Sequence, residues 1–225
     1  MEIQQLFTSL LNQEGTMELI RLGILYAHLI ACCVAIGMVV VSDFSMIKKL
    51  VTGDSAHQDS HHLNQLKNAV LVALVALWIT GLMIIGLDAS SKGAEYFLNP
   101  KLQAKVLIVT LLTINGYALH QFVMPAMQKA GCILKMEPNA RTLSIFAGTV
   151  SAVSWMYAAM LGIGRPLAWK YSLGELMVAY PLLIALGFTA MVLLVDWKTS
   201  RRTAKPEPKL QLKPKLTYAG ILVQR

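Results

Sequence analysis

The sequence predicts an all-α, polytopic membrane helix bundle with about five transmembrane helices, its N-terminus outside and its C-terminus in the cytoplasm. Composition, the spacing of apolar runs and the placement of basic residues each point to it. Apolar residues make up 56% of the 225 and charged residues 14%, well below the roughly 25% charged content of soluble domains. Five apolar runs, near residues 18–46, 67–87, 102–126, 143–163 and 173–195, each reach the ~20 residues needed to cross ~30 Å of hydrocarbon.

If these helices alternate in direction, Lys48, Lys49, Lys67, Lys129, Lys135, Arg141 and eight basic residues after Asp196 share one side. Arg21, Lys92, Lys101, Lys105, Arg165 and Lys170 share the other, fourteen against six. The positive-inside bias places the richer side in the cytoplasm. The net charge of +8 is concentrated in that tail, so it implies anionic lipid heads as a neighbour and no nucleic-acid partner.

The chain divides into a short amphipathic interfacial segment at 1–16, a five-helix bundle at 17–197 and a basic cytoplasmic tail at 198–225. Ile3, Leu6, Phe7, Leu10 and Leu11 share one face if the first segment is helical, as expected of an anchor on the membrane surface. Met1 to Gly15 holds no basic residue, unlike a secretory signal. Pro206, Pro208 and Pro214 deny the tail a continuous helix. Cys32 and Cys33 are neighbours on a helix and Cys132 stands alone. Adjacent helical residues point ~100° apart, so no disulfide framework is implied.

Helices in lipid recognise one another through small residues. Gly23, Ala27, Ala31 and Ala35 form a four-residue stripe on the first helix, bordered by His28. On the fourth, Gly148, Ser151, Ala158 and Gly162 surround Trp155. Pro181 should kink the fifth helix. The third helix is the most polar, with Lys105, Thr113, Gly116 and His120 within about 80° on a helical wheel and Asn115 beside them,. Ionisable groups inside a membrane are functional candidates by default. Lys105 has two readings, facing the bundle or snorkelling to the headgroups.

Only His28 and His120 lie inside spans, and imidazole is the usual axial ligand of haem and a common transition-metal ligand. The structural alternative is a histidine that only hydrogen-bonds across a helix contact. His28 and His120 differ in depth by about 12 Å at ~1.5 Å per residue, so they are not expected to share one iron. His28 is expected to pair with a group of the outer half, such as Met83, Lys105, Tyr157, Met160, Met177 or Tyr180. Lys105 and Arg165 are placed to meet haem propionates. A cofactor set of His28, Lys105, Tyr157 and Arg165 follows. For copper, the alternative metal, soft and borderline ligands are His28, His120, Met83 and Met160. His57, His61 and His62 read as a solvated loop.

Residues 78–127 are similar to the core of the CopD and HemJ families of bacterial inner-membrane proteins. The features that carry the resemblance are Thr80 and Gly81 closing a helix, Lys105 opening the next, Asn115 and His120 toward its end, and Pro125 after it. His28, in YAHLIACC, matches a first-helix histidine of HemJ-like proteins. The resemblance covers about 100 residues. It implies a bacterial inner-membrane location and an outer-half site at His28 and Lys105, tied to haem b and porphyrin oxidation in one family and to copper handling in the other. The fifth helix, the tail and the segment SAVSWMYAAMLGIGRPL depart from the HemJ plan.

Three functions compete: a haem b protein of electron transfer or porphyrin chemistry, a copper-handling protein, and an accessory subunit whose polar residues only join helices. The expected surroundings are the lipid bilayer, with a redox partner or further copies of the chain. No hydrolase triad, phosphate loop or pair of intramembrane carboxylates occurs,.

Overall fold

The computed structural model describes residues 13–52, 60–131, 133–164 and 169–203. Among them are five long helices: α1 (Gln13–Thr52), α2 (Ser60–Lys92), α3 (Pro100–Ala130), α4 (Pro138–Ile163) and α5 (Leu173–Thr203). All five are long and apolar enough to cross a bilayer, and no strand occurs among the described residues. The expected helical bundle is the observed one. The helices outrun their apolar cores, however. α1 starts at Gln13, inside the segment assigned to the membrane surface, and α5 continues to Thr203, into the segment assigned to the tail. The remaining residues of both segments lie outside the described ones.

Charge marks the membrane boundaries more sharply than hydropathy does. Residues 22–42, 68–87, 106–128, 142–164 and 176–195 hold no Asp, Glu, Lys or Arg. These windows are about 30–35 Å long at ~1.5 Å per residue, the thickness of the hydrocarbon. Arg21, Asp88, Lys105 and Glu175 therefore mark one boundary, outer by the charge bias. Asp43, Lys129, Arg141 and Asp196 mark the other.

Helix ends follow the local sequence. Asn99 accepts the Lys101 N–H at 3.0 Å and Pro100 occupies the first turn of α3, a side-chain cap followed by a residue whose missing N–H costs nothing there. Gly131 closes α3 at φ 69°, a left-handed position that glycine adopts without strain. Inside α3, Leu119–Val123 form one π-helical turn, with the Met124 N–H reaching back to Leu119 O. Pro125 has no N–H to give the preceding turn, and such turns absorb the interruption. α5 runs through Pro181 without a break. In the turn before it the Leu176 carbonyl accepts the Tyr157 hydroxyl of α4. That bond ties α4 to α5 one residue before Met177, whose carbonyl is the one Pro181 leaves without its helical N–H,. At the inner end, Lys198 Nζ of α5 donates to Val51 O at 2.6 Å, filling one of the open carbonyls that end α1.

The core forms three layers. Ala104, Ile108, Tyr157, Leu161, Leu176 and Tyr180 make the outer one. The middle layer joins Ala35, Ala73, Leu74, Leu112 and Trp155, and the inner one Leu50, Ile133, Met136, Ile145 and Val195. Among the described residues α4 alone places a buried side chain in each layer, which makes it the hub of the bundle, and α3 joins it in the inner layer through the partly buried Ala126, Met127 and Ala130.

The small-residue stripes turn out differently from the sequence expectation. On α1, Ala35 is fully buried and Ala31 partly so, but Gly23 and Ala27 are exposed. A four-residue stripe drifts about 40° per step, whereas a seven-residue one drifts about 20°. The face that α1 gives to α2 follows sevens: Arg21 meets Asp88, His28 meets Thr80, and Ala35 shares a cluster with Ala73. On α4, Trp155 is buried and Gly162 exposed. The close approach to α5 occurs instead at Gly187, where an added Cβ would lie 2.9 Å from Thr149 Cγ2. Gly187→Ala is expected to lower stability by about 1–3 kcal/mol through overpacking, read as thermal unfolding in detergent. Adding Thr149→Ser, which removes that methyl and keeps the hydroxyl, should restore most of it.

Candidate functional site

His28 and Thr80 face each other across the α1–α2 seam, about 10 Å below the Arg21 boundary at ~1.5 Å per residue. His28 Nδ1 lies 2.7 Å from Thr80 Oγ1, and the same hydroxyl donates to Ala76 O at 2.6 Å. A hydroxyl has one proton to give. With that proton on the Ala76 carbonyl, Thr80 Oγ1 accepts, so Nδ1 of His28 carries the ring hydrogen. Nε2 is left with a lone pair. The ring lies over Gly81, whose added Cβ would stand 3.6 Å from His28 Cε1.

Lys105, in the second turn of α3, is partly buried and lies within electrostatic reach of both His28 and Cys32. Among the described residues no hydrogen bond or ion pair reaches its ammonium group. Its partial burial is what the bundle-facing reading of the sequence expects. Cys32 follows His28 by one turn, partly buried on the same helix. Thus α1, α2 and α3 bring an imidazole, a hydroxyl and an ammonium to the outer half, with the Cys32 thiol one turn below His28, near the middle of the hydrocarbon,.

The other sequence candidates lie elsewhere. Tyr157 is 4% exposed in the outer core layer, its ring 5.7 Å from that of Tyr180 and its hydroxyl committed to the Leu176 carbonyl. Ser154 and the Tyr180 hydroxyl share a hydrogen bond of 2.8 Å beside it. This is packing between α4 and α5. Met83 and Met160 are 49% and 47% exposed, as expected of lipid-facing side chains. His120 lies in the π-helical turn, 15 residues beyond Lys105 and so about 22 Å deeper. Asn115 spends its amide on Ala147 O at 2.9 Å, joining α3 to α4. Among the described residues no three His, Cys, Asp or Glu side chains converge as a metal site. Arg165, His57 and Cys132 lie outside the described residues, as do the side chains of His61 and His62.

The sequence reading missed Asp88. It ended the second apolar run one residue earlier, yet Asp88 is only 7% exposed. Arg21 Nη2 approaches its Oδ1 at 3.1 Å and Lys92 Nζ its Oδ2 at 3.3 Å. Arg21 Nε donates to Oδ1 at 3.2 Å, and Tyr96 adds a side-chain hydrogen bond. A buried carboxylate is tolerated when cations and donors surround it. The available signal was the seven-residue spacing of Arg21, His28 and Ala35 against the descending series Asp88, Thr80 and Ala73.

Comparison with protein-family models, with curated proteins and with solved structures gives no match.

Burial, followed by the charge and hydrogen bond of Asp88, pushes the Tyr96 phenol up to about 12, while Arg21 pulls the other way. Since the folded value lies above the ordinary one of about 10, this contribution to stability is complete below pH ~10 and lost as the pH rises toward 12. An alkaline absorbance titration of the protein minus that of Tyr96→Phe should show one phenol ionising at about 12. Asp88→Asn should move that step down.

Proposed function

We propose that this chain is an integral membrane haem b protein of electron transfer or porphyrin redox chemistry, in which Nε2 of His28 would hold the haem. The observation that carries it is the assignment of the ring hydrogen to Nδ1 by Thr80. Ligating histidines donate their second ring nitrogen to a fixed acceptor, which sets the tautomer and the ring orientation. The Thr80–Ala76 pair supplies that arrangement inside a membrane helix, where an imidazole without a task is costly. Lys105 adds a cation suited to a propionate, with Arg165 as the second candidate. Tyr157 is left out of the ligand set because its hydroxyl is occupied. Bound haem would supply a one-electron couple at its iron. The chain itself would hold the ring nitrogen in place, neutralise an acidic edge and exclude water. The likeness of residues 78–127 and of His28 to HemJ-like proteins favours the same assignment, and with it a bacterial inner-membrane location.

A second reading, copper handling of the CopD kind, is favoured by Cys32 one turn below His28. A thiolate and an imidazole at that spacing suit a soft monovalent metal. Met83 and Met160 are less suited, given their exposure.

Protein purified in detergent should show a Soret band that shifts on reduction. His28→Ala should abolish it, and Thr80→Val should lower haem retention about 10- to 100-fold, the usual cost of losing such a support. A colourless wild type with no extractable haem rules the haem assignment out. Copper that co-purifies and is lost in Cys32→Ser would select the second reading.

A further inference from the structure

α3 has a second polar face, and it points away from the bundle. Gln103, Leu107, Thr110, Ile114, Tyr117 and Gln121 alternate at four- and three-residue steps, and all six are exposed. Ile114 is 61% exposed and Tyr117 65%. From Gln103 to Tyr117 that spacing is the a/d seam of a coiled coil, and Gln121, inside the π-helical turn, extends the exposed face by one step. Its upper polar residues are satisfied within the chain: Gln103 Nε2 donates to Phe97 O at 3.1 Å and Thr110 Oγ1 to Val106 O at 2.8 Å. Among the described residues no hydrogen bond reaches the Tyr117 hydroxyl or the Gln121 amide. Tyr117 lies 12 residues beyond Lys105, about 18 Å below the boundary. That is the middle of the hydrocarbon, too deep for the phenol to reach headgroups. Gln121 lies one turn deeper, about 12 Å from the Lys129 boundary, and a lipid-facing helix has no use for a phenol and an amide inside the hydrocarbon, because unpaired polar groups there are expensive.

We propose that two copies of this chain associate in the membrane along a parallel α3–α3 seam centred on Tyr117 and Gln121. Three features select a second copy over another occupant. Copies inserted in the same membrane share one topology, so a two-fold axis along the normal sets each seam residue opposite its own counterpart. The phenol and the amide each carry both a donor and an acceptor, so each can be satisfied by itself across that axis. No charged side chain lies between Lys105 and Lys129, so nothing on the seam repels its own image. A polar residue at such a position fixes register and partner number in coiled coils, and side-chain amides join membrane helices in the same way. The seam is independent of the His28 region, which opens on the opposite side of α3.

The test is disulfide cross-linking of the full chain in native membranes, with Cys32, Cys33 and Cys132 replaced by serine. Tyr117→Cys and Gln121→Cys should each give a product of twice the chain mass on mild oxidation. Leu186→Cys, 69% exposed at similar depth on α5, should not. Gln121→Leu should weaken self-association in detergent by about 3- to 10-fold, read as the monomer–dimer balance in light scattering. Absence of the seam cross-links, equal cross-linking from Leu186→Cys, or a product of any mass other than twice the chain would overturn the proposal.

Discussion

The architecture rests on one constraint, the seven-residue register that locks α1 against α2. At the rim, a carboxylate that should not tolerate burial is held between Arg21 and Lys92. Two turns further in, the same register sets His28 against Thr80, and two turns beyond that it closes on Ala35 and Ala73. Each step differs in chemistry, from ion pair to hydrogen bond to bare packing, and the order follows the falling polarity of the surroundings. The rim pair thus fixes the position of the imidazole, because sliding one helix by a turn would separate Asp88 from Arg21 and leave it only Lys92 of its own helix.

Around this pair the other helices have distinct tasks. α4 is the hub, and three of its hydroxyls are satisfied within the chain: Ser144 and Thr149 bond their own helix, and Ser154 bonds its own helix and the Tyr180 hydroxyl of α5. α3 has two polar faces, one toward α1 and α4 and one toward the bilayer. α5 closes the outer layer with Leu176 and Tyr180 and reaches back at the inner end to fasten α1 through Lys198.

The fold was largely legible in the sequence because a bilayer imposes a simple rule: about twenty uncharged apolar residues per crossing. The site was legible only in part. His28 stood out as an ionisable residue deep in an apolar run. Lys105 stood out because no further charged residue follows it on α3 before Lys129. Thr80 was visible only through a family likeness, since its role depends on which carbonyl takes its proton, and composition is silent on that. Asp88 was lost because hydropathy treats a charge at the edge of a run as its end. Gly23 and Ala27 misled because four-residue spacing resembles a packing stripe over one or two turns and departs from it over three. Met83 and Met160 fit any membrane site by type, and only their orientation separates them from it.

The π-helical turn at Leu119–Val123 has a consequence for how α3 tolerates change. One additional residue per turn acts as a phase setter, rotating everything below it by roughly 100° relative to an uninterrupted helix. Ala126, Met127 and Ala130 reach the inner core layer from that rotated phase. The two halves of the rod can therefore face different neighbours, and the length of this short stretch matters as much as its side chains. Removal of a single residue would turn the lower half toward lipid while leaving the upper half in place.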